Sequence, residues 1–249
     1  MSSASIAVFR RISTTINAAT LSERSPPKPY SPSFLTSIER SVTRERLKRY
    51  LAATSQDLPR ALAIYERNVA LSEALYGLLH WLEVSVRNAA HYALSATYGT
   101  PAWYTSAPLS NYWQAEIAAA LKKAAGVPGK VVAALTFGFW VDLTSKSNNN
   151  TLWVGRGLRN AFPNTSWPRD EIHARLKTVQ RLRNRVFHHE PVLTSGNTLY
   201  AGFDFITVPE LVECVEWTCT ETAQWMRAQP RYGEAQRILA EINASRISL

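Results

Sequence analysis

Residues 58–98 read LPRALAIYERNVALSEALYGLLHWLEVSVRNAAHYALSATY, and this stretch decides the fold. Leu71, Leu75, Leu78, Leu82, Val86, Ala89 and Ala93 recur every three or four residues, which draws one apolar stripe along a helix. Gly99 and Pro101 close it. On the N-terminal side, Thr43 reads as the N-cap of a shorter helix carrying Leu47, Tyr50 and Leu51. On the C-terminal side, helices are predicted from Asn111 to about Ala125, through Val131–Leu135 towards Leu143, and over Leu152–Ala161. Trp167-Pro168-Arg169-Asp170-Glu171 opens another, with proline in the first turn and acids at the positive end of the dipole. Its buried side is Ile172, Leu176, Val179, Leu182 and Val186, and Pro191 lies beyond its end. Two more helices are predicted, from Pro209 to about Ala228 and over Tyr232–Ala244. Only Leu199–Ile206 alternates like a strand, and it reads as a loop or short hairpin. The fold class is therefore all-α.

The chain has 249 residues, 46% of them hydrophobic and 19% charged. That is enough for a sizeable core and too apolar for a disordered protein. No apolar run approaches the ~18–20 residues of a membrane-spanning helix, so no membrane role is expected. Cys214 and Cys219 are too few for a disulfide framework or a four-cysteine zinc site. They read as reduced core thiols of a cytoplasmic protein. Residues 1–33 hold Ser/Thr clusters and the breakers Ser25-Pro26-Pro27-Lys28-Pro29, and read as a disordered basic leader. The absence of acids before Glu23 also fits an organelle transit peptide. Residues 34–249 are expected to form one helical domain.

Net charge is +9 and its distribution is uneven. Residues 1–50 carry +6 and residues 151–200 carry +5, whereas the last 49 residues carry −3. Two basic blocks favour a polyanionic partner, more weakly as salt rises. A basic solubilising surface would show the same counts.

Two polar constellations interrupt the apolar helices. His80, Glu83, Arg87 and His91 are spaced three, four and four apart and line one stripe, with Asn88 at its edge. As a solvated face, this stripe would contribute little more than a Glu83–Arg87 pair worth ~0.3–0.5 kcal/mol. The second is Arg183-Asn184-Arg185-Val186-Phe187-His188-His189-Glu190-Pro191. Asn184 and His188 share a helix face, Arg183 lies one step around, and His189 diverges from His188 by about 100°. Histidine titrates near neutrality and can take a proton from a hydroxyl or give one to a leaving oxygen. Arginine holds two phosphate oxygens in its planar fork. Together they suit RNA transesterification, in which the ribose 2′-hydroxyl is the nucleophile and no metal or other cofactor is required. Divergent adjacent histidines are poor metal ligands, so no metal is expected. An Arg/His-rich helix end with ordinary capping contacts remains the structural alternative.

At these residues the sequence resembles the Abi-like (AbiD/AbiF-type) abortive-infection proteins of bacteria, members of the HEPN superfamily of helical RNases. The similarity runs in order over about residues 40–192. It includes Arg46-Leu47 with Tyr50-Leu51, Tyr65 with Asn68, Glu83 with Arg87-Asn88, Phe137-Gly138-Phe139-Trp140, and Arg183-Asn184 with His188-His189-Glu190-Pro191. The resemblance implies a HEPN-like helical bundle with additional helices. It also implies a homodimer that brings two Arg-x4–6-His motifs into one cleft, and metal-independent endoribonuclease activity in phage defence or as a toxin. Arg183 and His188 would be the catalytic pair, with Asn184 positioning the phosphate or the ring. Glu83, Arg87, Asn88, His189 and Arg185 would support the site or bind RNA. An antitoxin protein or small regulatory RNA would be a possible partner. A non-catalytic RNA-binding module is the rival reading.

Overall fold

The computed structural model describes residues 30–148, 151–155, 157–195, 198–199 and 203–246. The described residues begin within the predicted leader, at Tyr30. Tyr30 stacks on Phe34 and donates its hydroxyl to Glu66, and Ser31 caps α1 (Pro32–Val42) by accepting from the Phe34 N–H. The rest of that leader, residues 1–29, where disorder is expected, lies outside the described residues. Thr43 caps α2 (Arg44–Ala53) through its side chain, as expected, and Leu47, Tyr50 and Leu51 are its buried face. These residues form a small core with Ala61 and Leu62, separate from the main one.

The decisive stretch is one helix, α3 (Leu58–Tyr98), of 41 residues. At 1.5 Å per residue it is about 60 Å long. Asp57 accepts from the Arg60 N–H at its start, and Gly99 ends it in the left-handed conformation. The predicted stripe is buried at Leu71, Leu75, Leu78, Leu82, Val86 and Ala93. Ala89 is half-buried, and Ala90 takes its place in the core.

The remaining helices pack around this axis. They are α4 (Asn111–Lys123), α5 (Pro128–Ala134), α6 (Phe137–Leu143), α7 (Gly157–Ala161), α8 (Arg169–Phe187), α9 (Val208–Glu216), α10 (Thr220–Arg227) and α11 (Pro230–Arg246). Helices α2, α6, α7, α8, α9 and α11 all touch α3. Gly77 leaves room for α11, because a Cβ there would collide with the Arg231 side chain. Phe137-Gly138-Phe139-Trp140 is core: Phe139 meets Trp140 edge-on at 4.9 Å and Trp113 at 5.1 Å. Trp113 Nε1 donates to Asp142 at 2.6 Å, which satisfies its only polar atom.

The fold class is all-α, and several boundaries differ from expectation. The predicted helix from Val131 towards Leu143 is two, because Leu135 is extended and Thr136 caps a new start at Phe139 N. The helix expected from Pro209 to Ala228 also breaks, with Cys219 extended between α9 and α10. The helix expected over Leu152–Ala161 is helical only at Gly157–Ala161. A minimal antiparallel hairpin, β1 (Thr194–Ser195) with β2 (Thr198–Leu199), lies just before most of the alternating stretch. Phe203 and Phe205 from that stretch pack on each other at 5.4 Å instead of forming a strand. Only Cys214 is a core thiol, and burial pushes its pKa up. Cys219 is half-buried, with its Sγ 3.3 Å from Glu221. No described helix is long and apolar enough to cross a membrane.

Leu82 is completely buried at the middle of α3. Leu82→Ala should cost about 2–5 kcal/mol, read as a lower urea midpoint with an unchanged slope.

Candidate functional site

Helix α8 starts after Pro168, with Asp170 and Glu171 in its first turn, and buries Ile172, Leu176, Val179, Leu182 and Val186. Burying that face turns Arg183 towards α3. Its Nε donates to Glu83 Oε2 at 3.0 Å, joining the two sequence constellations by an ion pair whose side chains are only 24% and 20% exposed. The guanidinium also lies 4.1 Å from the centre of the Phe187 ring, a cation–π contact. Its two terminal amines have no hydrogen-bond partner among the described residues. Glu83 therefore fixes the plane of the fork and leaves its outer edge free.

The end of α8 has an unusual geometry. The Glu190 N–H donates to the Arg185 carbonyl at 2.8 Å, and the His189 N–H donates to that of Val186 at 3.2 Å. This is a Schellman turn, and the residue it forces into the left-handed conformation is His189, at φ 57°. Glycine usually occupies that position, because a Cβ there costs about 1–2 kcal/mol. Arg46 of α2 donates to the His189 carbonyl and holds the turn. His188, the C-cap, and His189 are both exposed, and neither ring forms a hydrogen bond with the described residues.

The other predicted residues take different places. Asn184 is exposed, and its carbonyl accepts the His188 N–H at 2.9 Å. Arg185 points into the fold, donating to Pro191 O at 2.9 Å and Thr194 Oγ1 at 3.1 Å, so it anchors the chain returning from α8. Arg87 donates to neighbouring Asn88 Oδ1 at 3.2 Å; neither bonds to α8 among the described residues. His91 leaves the stripe to accept from the buried Trp103 Nε1 at 3.1 Å. Among the described residues no group of three or more His, Cys, Asp or Glu gathers to hold a metal ion.

The structure adds residues that sequence reasoning missed. A groove of about 980 Å³ runs between α2, α3 and the end of α8, lined among others by Arg46, Tyr65, Glu73, Tyr76, Phe187 and His189. Tyr76 stacks on Phe187 at 4.7 Å with 21° between the rings. Beneath them, buried Asn68 accepts the Val192 N–H at 2.7 Å, tying the segment after the motif to α3. The signal was present in the sequence. Continued backwards from Glu83 and His80, the same spacing of three and four reaches Tyr76, Glu73 and Val69, all exposed.

No family model matches the chain, nor does any curated protein or solved structure.

Two measurements check this description. His189→Gly should stabilise the fold by about 1 kcal/mol in urea denaturation by relieving the left-handed backbone, whereas His189→Ala should not. The second concerns pH. Burial, with a smaller effect of Arg87, holds the His91 pKa below its ordinary value, and burial does the same at His173. The unfolded chain then takes up protons first as pH falls, so stability should be complete above about pH 7 and decline below about 6.5. Replacing both histidines with glutamine should flatten that decline in pH-dependent thermal melts.

Proposed function

We propose that this chain is a metal-independent endoribonuclease of the Abi-like HEPN type, acting in phage defence or as a toxin. The observation that supports this most is the Arg183 fork, clamped at Nε by Glu83 with both terminal amines open, on the same helix end as two exposed histidines. A phosphodiester seated on those amines would be held bidentately. An imidazole, with His188 as the family's match, would take the proton of the ribose 2′-hydroxyl. The 2′-oxygen then attacks the adjacent phosphorus, and the P–O5′ bond breaks. The products are a 2′,3′-cyclic phosphate and a 5′-hydroxyl that receives a proton. Arg183 would stabilise charge on the phosphoryl oxygens in the transition state, an effect worth several kcal/mol where such charge is preorganised. Asn184 would position phosphate or ring, and Glu83 acts through Arg183 as a positioning residue. A homodimer would bring a second set of these groups to the cleft, and an antitoxin protein or small regulatory RNA would restrain it. The cytoplasm is the compartment this reading assigns.

One observation favours a second reading. The Arg183–Glu83 pair also clasps α8 to α3, so the arginine has structural work without any chemistry. On that reading the domain binds RNA and leaves it intact.

Incubation with total RNA in EDTA separates the two. The nuclease reading expects cyclic-phosphate ends, with rates reduced at least ~10²-fold in His188→Ala and Arg183→Ala proteins that still fold. Tight binding with intact RNA supports the second reading, and undiminished cleavage in both variants overturns the site.

A further inference from the structure

We infer that Tyr76 is a stacking platform for an unpaired nucleobase, so that the groove beside the end of α8 takes single-stranded RNA. The inference rests on the endoribonuclease reading and adds the form of the substrate. Tyr76 is 51% exposed near the middle of a helix whose neighbouring leucines are completely buried. Its ring is nonetheless held in place, stacked on Phe187, which in turn carries the Arg183 guanidinium. An exposed but pre-oriented ring loses little conformational freedom when a second flat group stacks on it, and every base presents such a face. The stack runs from guanidinium through Phe187 to tyrosine, so Arg183 lies beside the groove, not in its lining, and an RNA strand whose phosphate meets Arg183 would lay a neighbouring nucleotide's base on Tyr76.

Charge decides what enters. Glu73 lines the groove beside Tyr76 and repels a phosphate, while Arg46 and His189 line it on the side of the α8 terminus. The neutral base is therefore favoured inside and the anionic backbone at the arginine end. A base inside a duplex has both faces covered by its stacked neighbours, so the interior of an A-form helix cannot use this surface without unstacking.

The test uses the full chain and a fluorescent 2′-O-methyl oligonucleotide, which lacks the nucleophile and stays intact. Affinity is measured at low salt for the single strand and for the same strand annealed to its complement. The single strand should bind at least about tenfold more tightly. Tyr76→Ala should weaken single-strand binding by roughly 5- to 100-fold, and Tyr76→Trp should preserve it. Tyr76→Leu keeps apolar bulk against Phe187 without a π-face and should lose binding like alanine, which carries the test if Tyr76→Ala fails to fold. Equal affinity of folded Tyr76→Leu and unaltered protein overturns the platform, as does duplex binding as tight as that of the single strand. If those results come with RNA cleavage by the unaltered protein, the platform fails alone and the nuclease reading stands. If the unaltered protein neither binds nor cleaves any RNA, the nuclease reading fails and the platform with it. A Tyr76 variant that changes oligomeric state but not RNA affinity also overturns it, and marks the face as a contact between copies.

Discussion

The ion pair between Glu83 and Arg183 is the constraint on which the site depends. It joins residues 100 apart in the chain, on the two helices that carry the unusual polar residues. Neither group is fully exposed, so each has lost part of its hydration and needs the other. A charge-assisted hydrogen bond of this kind contributes on the order of 1.5–3 kcal/mol, and removing one partner leaves the other desolvated and unpaired. The geometry matters more than the energy. Binding through Nε spends the inner edge of the fork and prevents the guanidinium from swinging with its flexible stem. Phe187 beneath it supplies a second restraint. An arginine on an exposed helix without these contacts would lose rotamer entropy on binding an anion; this one is already ordered.

The turn that ends α8 points the same way. A Schellman motif with histidine in the left-handed position is less stable than one with glycine, and it persists because other contacts determine it. Arg46 holds the carbonyl of His189, Arg185 holds Pro191 and Thr194, and Asn68 holds the Val192 N–H. Three separate elements thus fix the segment from His189 to Thr194. Backbone strain retained under such support is common where a side chain is needed at a particular place. Here the residue that bears the strain lines the groove, whereas His188 caps the helix outside that lining. The two adjacent imidazoles have different environments because the helix ends at Phe187 and the chain turns into the left-handed conformation at His189.

Much of this was legible in the sequence for identifiable reasons. The body of α3 followed from the apolar stripe between Leu71 and Ala93 and its end from Gly99 and Pro101, whereas the Asp57 cap was visible only in the structure. The approach of Glu83 to Arg183 was not legible, because periodicity places a residue on a face and says nothing of which helix meets that face. His91 illustrates the failure: its spacing matches the polar stripe, yet the Trp103 indole claims it. The anchoring contacts of Arg185 to Pro191 and Thr194 were hidden for the same reason, since they depend on where the returning loop runs. Helix breaks at Leu135 and Cys219 escaped because no glycine or proline marks either one. They are extended to suit packing, and tertiary contacts override local propensity at such points. The groove residues Tyr76 and Glu73 could have been found by extending the stripe two turns backwards, but an isolated tyrosine among leucines reads as core.

The distribution of charge along α8 explains why its C-terminal end, and not its whole length, would attract a polyanion. In the first half, Arg169 is paired with Asp170, and Arg175 meets Glu210 and Glu213 of α9 while lying over Trp167. Acids of the C-terminal part of the chain thus neutralise Arg175, and Asp170 of α8 itself neutralises Arg169. In the second half, Glu83 alone faces Arg183 among the ion pairs of the described residues, and Arg181 bonds only to the Thr178 hydroxyl. The uneven charge seen in sequence therefore becomes a gradient along one helix. Long-range attraction falls off over about 10 Å at ordinary ionic strength, so a local excess of this kind steers an anion better than net charge spread over the whole surface. The gradient leads to the helix end where the Arg183 terminal amines have no partner among the described residues and the histidines are exposed, so the proposed chemistry would lie where an anion is drawn.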